Sequence, residues 1–249
     1  MPILAILAFA QMPWTANLPT RGVSLDFLRP KFDGGGTSLT SGAAFLSARF
    51  PIGSAAIRFE LPYARVAVPG FSSSTIGNPY VGMETGTASN LHFEAGIRIP
   101  ATSETEEAGI MGLFTDITRL EAFLPDVLTI AGRIRYHRTD TDGLTVDAGG
   151  GPSIWAPTQG GADTEVILHH HFSVGYRGAN AWMAFGFGGL LILTEDASLA
   201  DRTVYQLGAS AGLSRGQVRP ALHVIIPLDD EIKNDVDMVI GLGVAVVLP

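Results

Sequence analysis

Cysteine is absent from this chain of 249 residues, and charged residues make up only 16% of it. Without cysteine the chain can have no disulfide framework, no thiolate metal ligand and no cysteine nucleophile. The charged fraction lies well below the roughly 25% of an ordinary soluble domain. The formal net charge is −8, which argues against binding to a phosphate backbone, so nucleic acid is not an expected partner.

Long apolar runs are missing as well, because no stretch of about 18 or more apolar residues could cross a bilayer as a helix. Mean hydropathy is nevertheless +0.27, and 30 residues are glycine. Glycine penalises helices but suits strands that bend and pack closely. High hydropathy without a spanning helix therefore favours a buried sheet or a membrane barrel, and the length allows a single domain of this kind.

The N-terminus is apolar and ends in the small-x-small pattern Ala8-Phe9-Ala10, which a signal peptidase site requires. We expect residues 1–10 to be a signal peptide. Because a basic beginning is lacking, the alternatives are a signal peptide truncated at its start and a merely apolar N-terminus. Residues 11–22 would then form a periplasmic N-terminal segment, and residues 23–249 a single barrel domain.

Two-residue alternation is the strongest pattern in the sequence, because alternate side chains of a barrel strand face lipid and lumen. Between Leu91 and Ile99, apolar residues occupy one face, while His92, Glu94 and Arg98 fall on the other. A helix would scatter these charges around its circumference. The same alternation predicts twelve strands, near residues 23–32, 41–50, 54–67, 77–86, 89–99, 127–138, 143–155, 164–176, 180–193, 202–213, 216–228 and 236–248.

The connections between these strands alternate in length. Short turns are expected at 51–54, 87–88, 139–142, 177–179 and 214–215, and longer loops at the other junctions. Short periplasmic turns and long extracellular loops are typical of outer-membrane barrels. The sequence therefore predicts an all-β fold, a transmembrane antiparallel up-and-down β-barrel of about twelve strands. Ten or fourteen strands, and a lipocalin-like barrel outside membranes, stay open as alternatives.

The longest connection, residues 100–126, contains the one good helical pattern. Ser103 and Glu106 have capping-box spacing, and apolar residues follow at steps of three and four from Ile110 to Leu124. This pattern predicts one short helix in an extracellular loop. Its apolar face must be covered, either by entering the lumen as a lid or constriction, by packing on the rim, or by a neighbouring subunit.

Alternation also assigns a set of ionisable residues to the lumen. Positive groups outnumber carboxylates in this set, which would favour polar or anionic solutes. Alternatively, the charges pair across strands and fill the lumen, as Glu94 and Arg98 could with Arg133 and Arg135. The predicted lumen-facing residues are Arg49, Arg58, Glu60, His92, Glu94, Arg98, Arg133, Arg135, His137, Asp147, His169, His171, Arg219 and His223.

Three local patterns suggest other chemistry. His169 and His171 share a strand face and could bind a metal with a third ligand such as His223 or Glu94, although polar filling of the lumen is favoured. His171-Phe172-Ser173 is similar to the His-x-Ser of outer-membrane phospholipase barrels. Here, however, alternation directs both side chains into the lumen, whereas lipid hydrolysis needs a site on the lipid-facing surface. The acidic run 229–231 could hold a cation that bridges lipopolysaccharide, although a solvated loop is favoured. We expect no catalytic residue, metal site or cofactor.

The segment Ile76-Gly-Asn-Pro-Tyr-Val-Gly-Met-Glu84 resembles the glycine-rich strand opening of outer-membrane barrels grouped as the MetA-pathway-of-phenol-degradation, or transporter-like, family. The closing stretch from Val239 to Val247 is similar to the last strand of that family. The resemblance implies a barrel of about twelve strands that serves uptake of small, often aromatic or hydrophobic compounds. It implies no catalytic residues.

The sequence therefore predicts a monomeric channel or diffusion-type transporter for small solutes, polar or anionic or small aromatic, in the outer membrane of a Gram-negative bacterium. Its expected partners are outer-membrane lipid, lipopolysaccharide and the small-molecule solute. A plugged structural or adhesive barrel and a lipid-modifying enzyme are the alternatives.

Overall fold

The computed structural model describes residues 20–32, 40–86, 90–102, 107–196, 198 and 201–249. The expected signal peptide, most of the expected periplasmic segment and the capping box of Ser103 and Glu106 lie outside these residues.

The described residues form thirteen strands and three short helical elements. The helical elements are α1 (Glu107–Leu113), a 3-10 helix (Ile117–Ala122) and α2 (Asp230–Lys233). The strands are β1 (Gly22–Phe32), β2 (Gly42–Ile52), β3 (Ala55–Val68), β4 (Phe71–Ile76), β5 (Tyr80–Thr85), β6 (Leu91–Arg98), β7 (Val127–Thr139), β8 (Leu144–Pro157), β9 (Glu165–Arg177), β10 (Ala181–Ile192), β11 (Thr203–Leu213), β12 (Val218–Pro227) and β13 (Val236–Val247).

Twelve of these strands close into an antiparallel barrel. Each pairs with its neighbours along the chain, and β1 closes the ring because Gly22 lies opposite both Val247 of β13 and Arg49 of β2. Because the ring is closed, the backbone donors and acceptors of every wall strand can pair with a neighbouring strand. The water-free interior of a membrane requires such pairing. The predicted strand number and topology are confirmed.

The thirteenth strand, β4, was not predicted. It pairs with the far half of β3 and forms a hairpin beyond the barrel wall, where Val68 lies opposite Phe71. The partner of β3 changes around Pro62: Glu60 still pairs with Tyr80 of β5, whereas Tyr63 pairs with Ile76 of β4. A proline, which cannot donate a ladder hydrogen bond, is tolerated at such a junction.

The two faces of the wall differ in chemistry. The outer face exposes large apolar side chains such as Phe93 (47%) and Ile134 (53%). On the same strands, His92, Glu94 and Arg135 are buried on the inner face. An apolar outside and a polar inside are the arrangement of a membrane barrel.

The two ends of the barrel differ in the length of their connections. Tight turns join β2 to β3, β7 to β8, β9 to β10 and β11 to β12, and Gly53 and Gly143 in two of them take left-handed φ values of +61° and +87°. The longer connections open at the other end. Within the described ranges, no helix is long and apolar enough to span a membrane.

Candidate functional site in the barrel lumen

The connection between β6 and β7 folds back into the lumen. Its residues 107–126 are called the inward loop below. Thr115, Thr118, Ala122 and Phe123 of this loop are at most 1% exposed. The helical pattern of the sequence breaks here, because α1 ends at Leu113 and the side chain of Asp116 caps the 3-10 helix through the amide of Thr118 at 3.0 Å.

Asn78 fastens the loop to one wall. Its Nδ2 donates to the carbonyls of Glu121 (3.0 Å) and Leu124 (2.7 Å). Its Oδ1 accepts from the amides of Ala101 (2.7 Å) and Thr102 (3.0 Å), where the chain leaves β6. One fully buried amide therefore fixes both the entry and the exit of the loop.

Gly77 makes room for this attachment. A Cβ at this position would lie 2.8 Å from both the Phe123 ring and the Cβ of Pro62, closer than real Cβ atoms come to their neighbours. The next amide, of Asn78, donates to the carbonyl of Ala122 at 2.7 Å. Gly77 and Asn78 are thus the residues at which the inward loop contacts the wall.

Gln206 of β11 fastens the loop on the other side. Its Nε2 donates to Asp116 Oδ1 at 2.7 Å, and its Oε1 accepts from the amide of Ile117 at 3.2 Å. In the ring of twelve strands, β5, which follows Asn78, and β11 are six strands apart in either direction. The inward loop therefore crosses the lumen from one wall to the opposite wall, so it enters the barrel, whereas the sequence also allowed packing on the rim. Its role as a lid or constriction stays a prediction.

Ion pairs add to these anchors. Arg119 of the loop lies 3.0 Å from Asp116 and 3.4 Å from Glu60 of β3, and its guanidinium stacks over the ring of Phe45 at 4.1 Å. The pKa of Arg119 is raised, because Glu60 and Asp116 outweigh the effect of burial, which alone would lower it. The residue stays charged at any physiological pH.

Glu121 of the loop faces two arginines of the wall, Arg133 at 3.1 Å and Arg98 at 3.7 Å. Burial alone would raise the pKa of Glu121, but His169, Arg98 and Arg133 hold it below its usual range. The buried carboxylate is therefore ionised at neutral pH.

An apolar cluster supports the loop at the end of the barrel with the longer connections. Phe123 packs edge-on against Phe45, with ring centroids 5.8 Å apart, among buried side chains of the adjacent strands β12, β13, β1, β2 and β3. Phe114 meets Phe32 of β1 in the same way at 6.0 Å. The loop is thus held by packing as well as by hydrogen bonds and charges.

A second polar cluster surrounds Asp147 of β8. Its carboxylate lies 2.8 Å from His137 Nδ1 and 2.8 Å from His171 Nε2, and it also pairs with Arg135. Strands β7, β8 and β9 carry these side chains next to one another on the inner face. The cluster lies towards the end of the barrel with the tight turns.

The structure buries or half-buries all fourteen residues predicted to face the lumen. Their ion pairs differ from the expected ones. Glu94 pairs with Arg58 of β3 at 2.6 Å, and Arg98 pairs with Glu60 at 2.6 Å, whereas the sequence suggested pairing between β6 and β7. Contact of these residues with a solute stays a prediction.

The other predicted residues also have identified neighbours. Arg49 lies 3.2 Å from Glu84, whose second oxygen lies 3.1 Å from His92. His223 contacts Ser210 at 2.9 Å and Asp26 at 3.3 Å. Arg219 donates to the carbonyl of Gly216 in an exposed turn.

Sequence reasoning missed four buried carboxylates, Asp26, Glu84, Asp116 and Glu121. Asp26 of β1 and Glu84 of β5 occupy the alternate positions whose side chains face inward, so the alternation of these strands could have predicted them. Asp116 and Glu121 lie in the loop, where no alternation marks the buried positions. Together they offset the surplus of positive charge that the sequence predicted for the lumen.

His169 and His171 contact different neighbours. His169 Nε2 lies 2.9 Å from Ser153 Oγ, and His171 turns to Asp147. Among the described residues, no group of three or more histidine, aspartate or glutamate side chains is placed to hold a metal ion. Ser173 is buried on the inner face beside these residues, away from the lipid-facing surface.

A closed twelve-stranded barrel with an apolar exterior, a polar interior and a loop across its lumen has the architecture of an outer-membrane β-barrel protein. Among solved structures, the chain is similar to an outer membrane channel from Pseudomonas putida F1, with a TM-score of 0.63 and 12% identity over 94% of this chain and 98% of that one.

Two further structures share the fold. The NanC porin matches with a TM-score of 0.56 and 9% identity over 91% of this chain and 100% of that one. LpxR from Salmonella typhimurium matches with a TM-score of 0.52 and 11% identity over the same shares. No protein-family model and no curated protein matches the sequence. At these identities the similarity shows the fold alone.

Proposed function

We propose that this chain is a channel for small solutes in the outer membrane of a Gram-negative bacterium, and that the inward loop is its constriction. The observation that carries this proposal is the polar interior beside and below the loop, enclosed by a wall whose outside is apolar. Two of the structures with the same fold are described as a channel and a porin.

The solute is polar or anionic, or a small aromatic compound. Arginine, histidine and carboxylate side chains lie on the inner wall, and a polar lining of this kind favours polar solutes over apolar ones. The resemblance of the Gly77-Asn78 segment to the transporter-like family supports small aromatic compounds as a second class.

The channel works as a monomer surrounded by outer-membrane lipid and lipopolysaccharide. Closure leaves the twelve wall strands without a free edge, so no second subunit is needed to complete the sheet. The apolar outer face supports contact with lipid.

The alternative is a plugged barrel with a structural or adhesive role, and the loop that joins opposite walls favours it. Recording from the purified chain in planar lipid bilayers separates the two. A channel shows discrete openings, and a permanently plugged barrel shows none.

A further inference from the structure

A small cavity of about 50 Å³ lies on the lumen side of the barrel wall, next to the Asp147 cluster. Charged and imidazole side chains of β5, β6, β7 and β9 surround it: Glu84, Glu94, Arg133, Arg135, His169 and His171. A single water needs roughly 10–15 Å³ measured in the same way. The cavity therefore has room for a group of a few heavy atoms.

The two carboxylates of the cavity already have partners. Glu84 contacts Arg49 at 3.2 Å and His92 at 3.1 Å through its two oxygens. Glu94 accepts from Tyr80 at 2.5 Å and from Arg58 at 2.6 Å. A bound cation would therefore have to compete with existing ion pairs for each oxygen.

The donors of the cavity are in surplus. Arg135, 5% exposed, uses Nη2 on Asp147, while its Nε and Nη1 have no hydrogen-bond partner within the described ranges. Within the same ranges, Nε of Arg133 also has no hydrogen-bond partner. Nδ1 of His169, which is 2% exposed, has none either, and it is a donor in the tautomer whose Nε2 accepts from Ser153. A guanidinium has five N–H donors and no acceptor. Unpartnered buried donors are costly, so a ligand that accepts hydrogen bonds stabilises this arrangement.

We propose that this cavity is an anion subsite that takes the carboxylate group of a small organic acid, with Arg135 as the main ligand and Arg133 and His169 beside it. A planar carboxylate matches the fork of a guanidinium. Glu84 and Glu94 in the same wall disfavour a doubly charged anion such as phosphate. The inference deepens the proposed channel function by naming a solute class, but the binding itself does not require conduction.

The test uses acetate as the probe. Acetate is titrated against the purified full-length chain in detergent, and binding is followed by broadening of its methyl proton resonance. We expect saturable binding to the wild type, and binding at least tenfold weaker in Arg135→Gln. Arg138→Gln is the matched control, because Arg138 is an exposed arginine near the same turn that pairs with Asp140. It should bind acetate like the wild type.

Failure of acetate to bind the wild type, or equal binding to Arg135→Gln, would overturn the subsite. Equal binding of inorganic phosphate would overturn the preference for carboxylates. If Arg135→Gln does not fold, as judged by its heat-dependent migration in gel electrophoresis, Arg135→Lys replaces it, because lysine keeps the charge but lacks the guanidinium fork, and we expect weaker acetate binding than in the wild type.

Bilayer recordings separate this inference from the proposed function. A channel that conducts, with no acetate binding to the protein, keeps the function and removes the subsite. A barrel that binds acetate through Arg135 but never opens keeps the subsite and removes the channel.

Discussion

Asn78 and Gln206 hold the same loop from opposite walls of the barrel. Asn78 binds the carbonyls of Glu121 and Leu124, and Gln206 binds Asp116 and the amide of Ile117. Since β5 and β11 are diametrically placed in the ring, the segment between these anchors crosses the lumen. In the proposed channel, this segment is the constriction.

Replacing Asn78 by alanine should release the loop from its wall. The substitution removes four hydrogen bonds, and each buried backbone group left unpaired costs about 1–3 kcal/mol. We expect a larger single-channel conductance and faster proteolysis within residues 107–126. Asn180→Ala is the control, because Asn180 is exposed in a tight turn at the other end. A variant with wild-type conductance and protease resistance would contradict the anchoring role.

Replacing Gly77 by alanine should have a similar effect for a steric reason. The new Cβ would meet Phe123 and Pro62 at 2.8 Å, so the loop must move away. The measurement is again conductance, compared with Gly161→Ala, where a Cβ meets nothing within 4 Å. Equal conductance of the two variants would show that the loop does not pack against Gly77.

Acid should weaken the docking of the loop through Glu121. The pKa of this carboxyl is lower in the docked loop than its ordinary value of about 4.3. Its contribution to docking is therefore complete above that ordinary value and is lost as pH falls through the lower, docked value. We expect conductance to rise as the pH falls below the ordinary pKa of a glutamate.

Glu121→Gln is the control for this pH effect. It should conduct more than the wild type at pH 7, because Arg133 loses the charge of its partner, and should lose most of the acid-induced rise. A rise of the same size in both proteins would assign the pH dependence to another group.

Charge reversal at Arg133 and Arg135 should shift ion selectivity towards cations, because both side chains face the lumen at the level of the small cavity. The reversal potential in a potassium chloride gradient measures this shift. Arg138→Glu, at the exposed turn, should change the potential far less. An unchanged reversal potential in the double variant would show that these arginines do not act on permeating ions.

The wall of the barrel followed from the sequence because its signal is local. Alternation in segments such as Leu91–Ile99 depends only on adjacent residues, and each of the twelve predicted strands has a counterpart in the structure. The β4 hairpin was missed because Phe71–Ile76 carries three consecutive serines and no clear alternation.

The contacts of the lumen could not be predicted, because they depend on which strands lie within reach across the interior. Glu94 reaches Arg58, two strands away, instead of Arg133 on the adjacent strand. The helical pattern up to Leu124 likewise gave no sign of the break at Asp116, where the side chain is held by Gln206, 90 residues further on.

Single-channel recording of the wild type beside Asn78→Ala tests the central proposal most directly. A constricted channel predicts discrete openings in the wild type and larger openings in the variant. The absence of openings from both proteins, when each is folded and inserted, would contradict it and leave a permanently closed barrel.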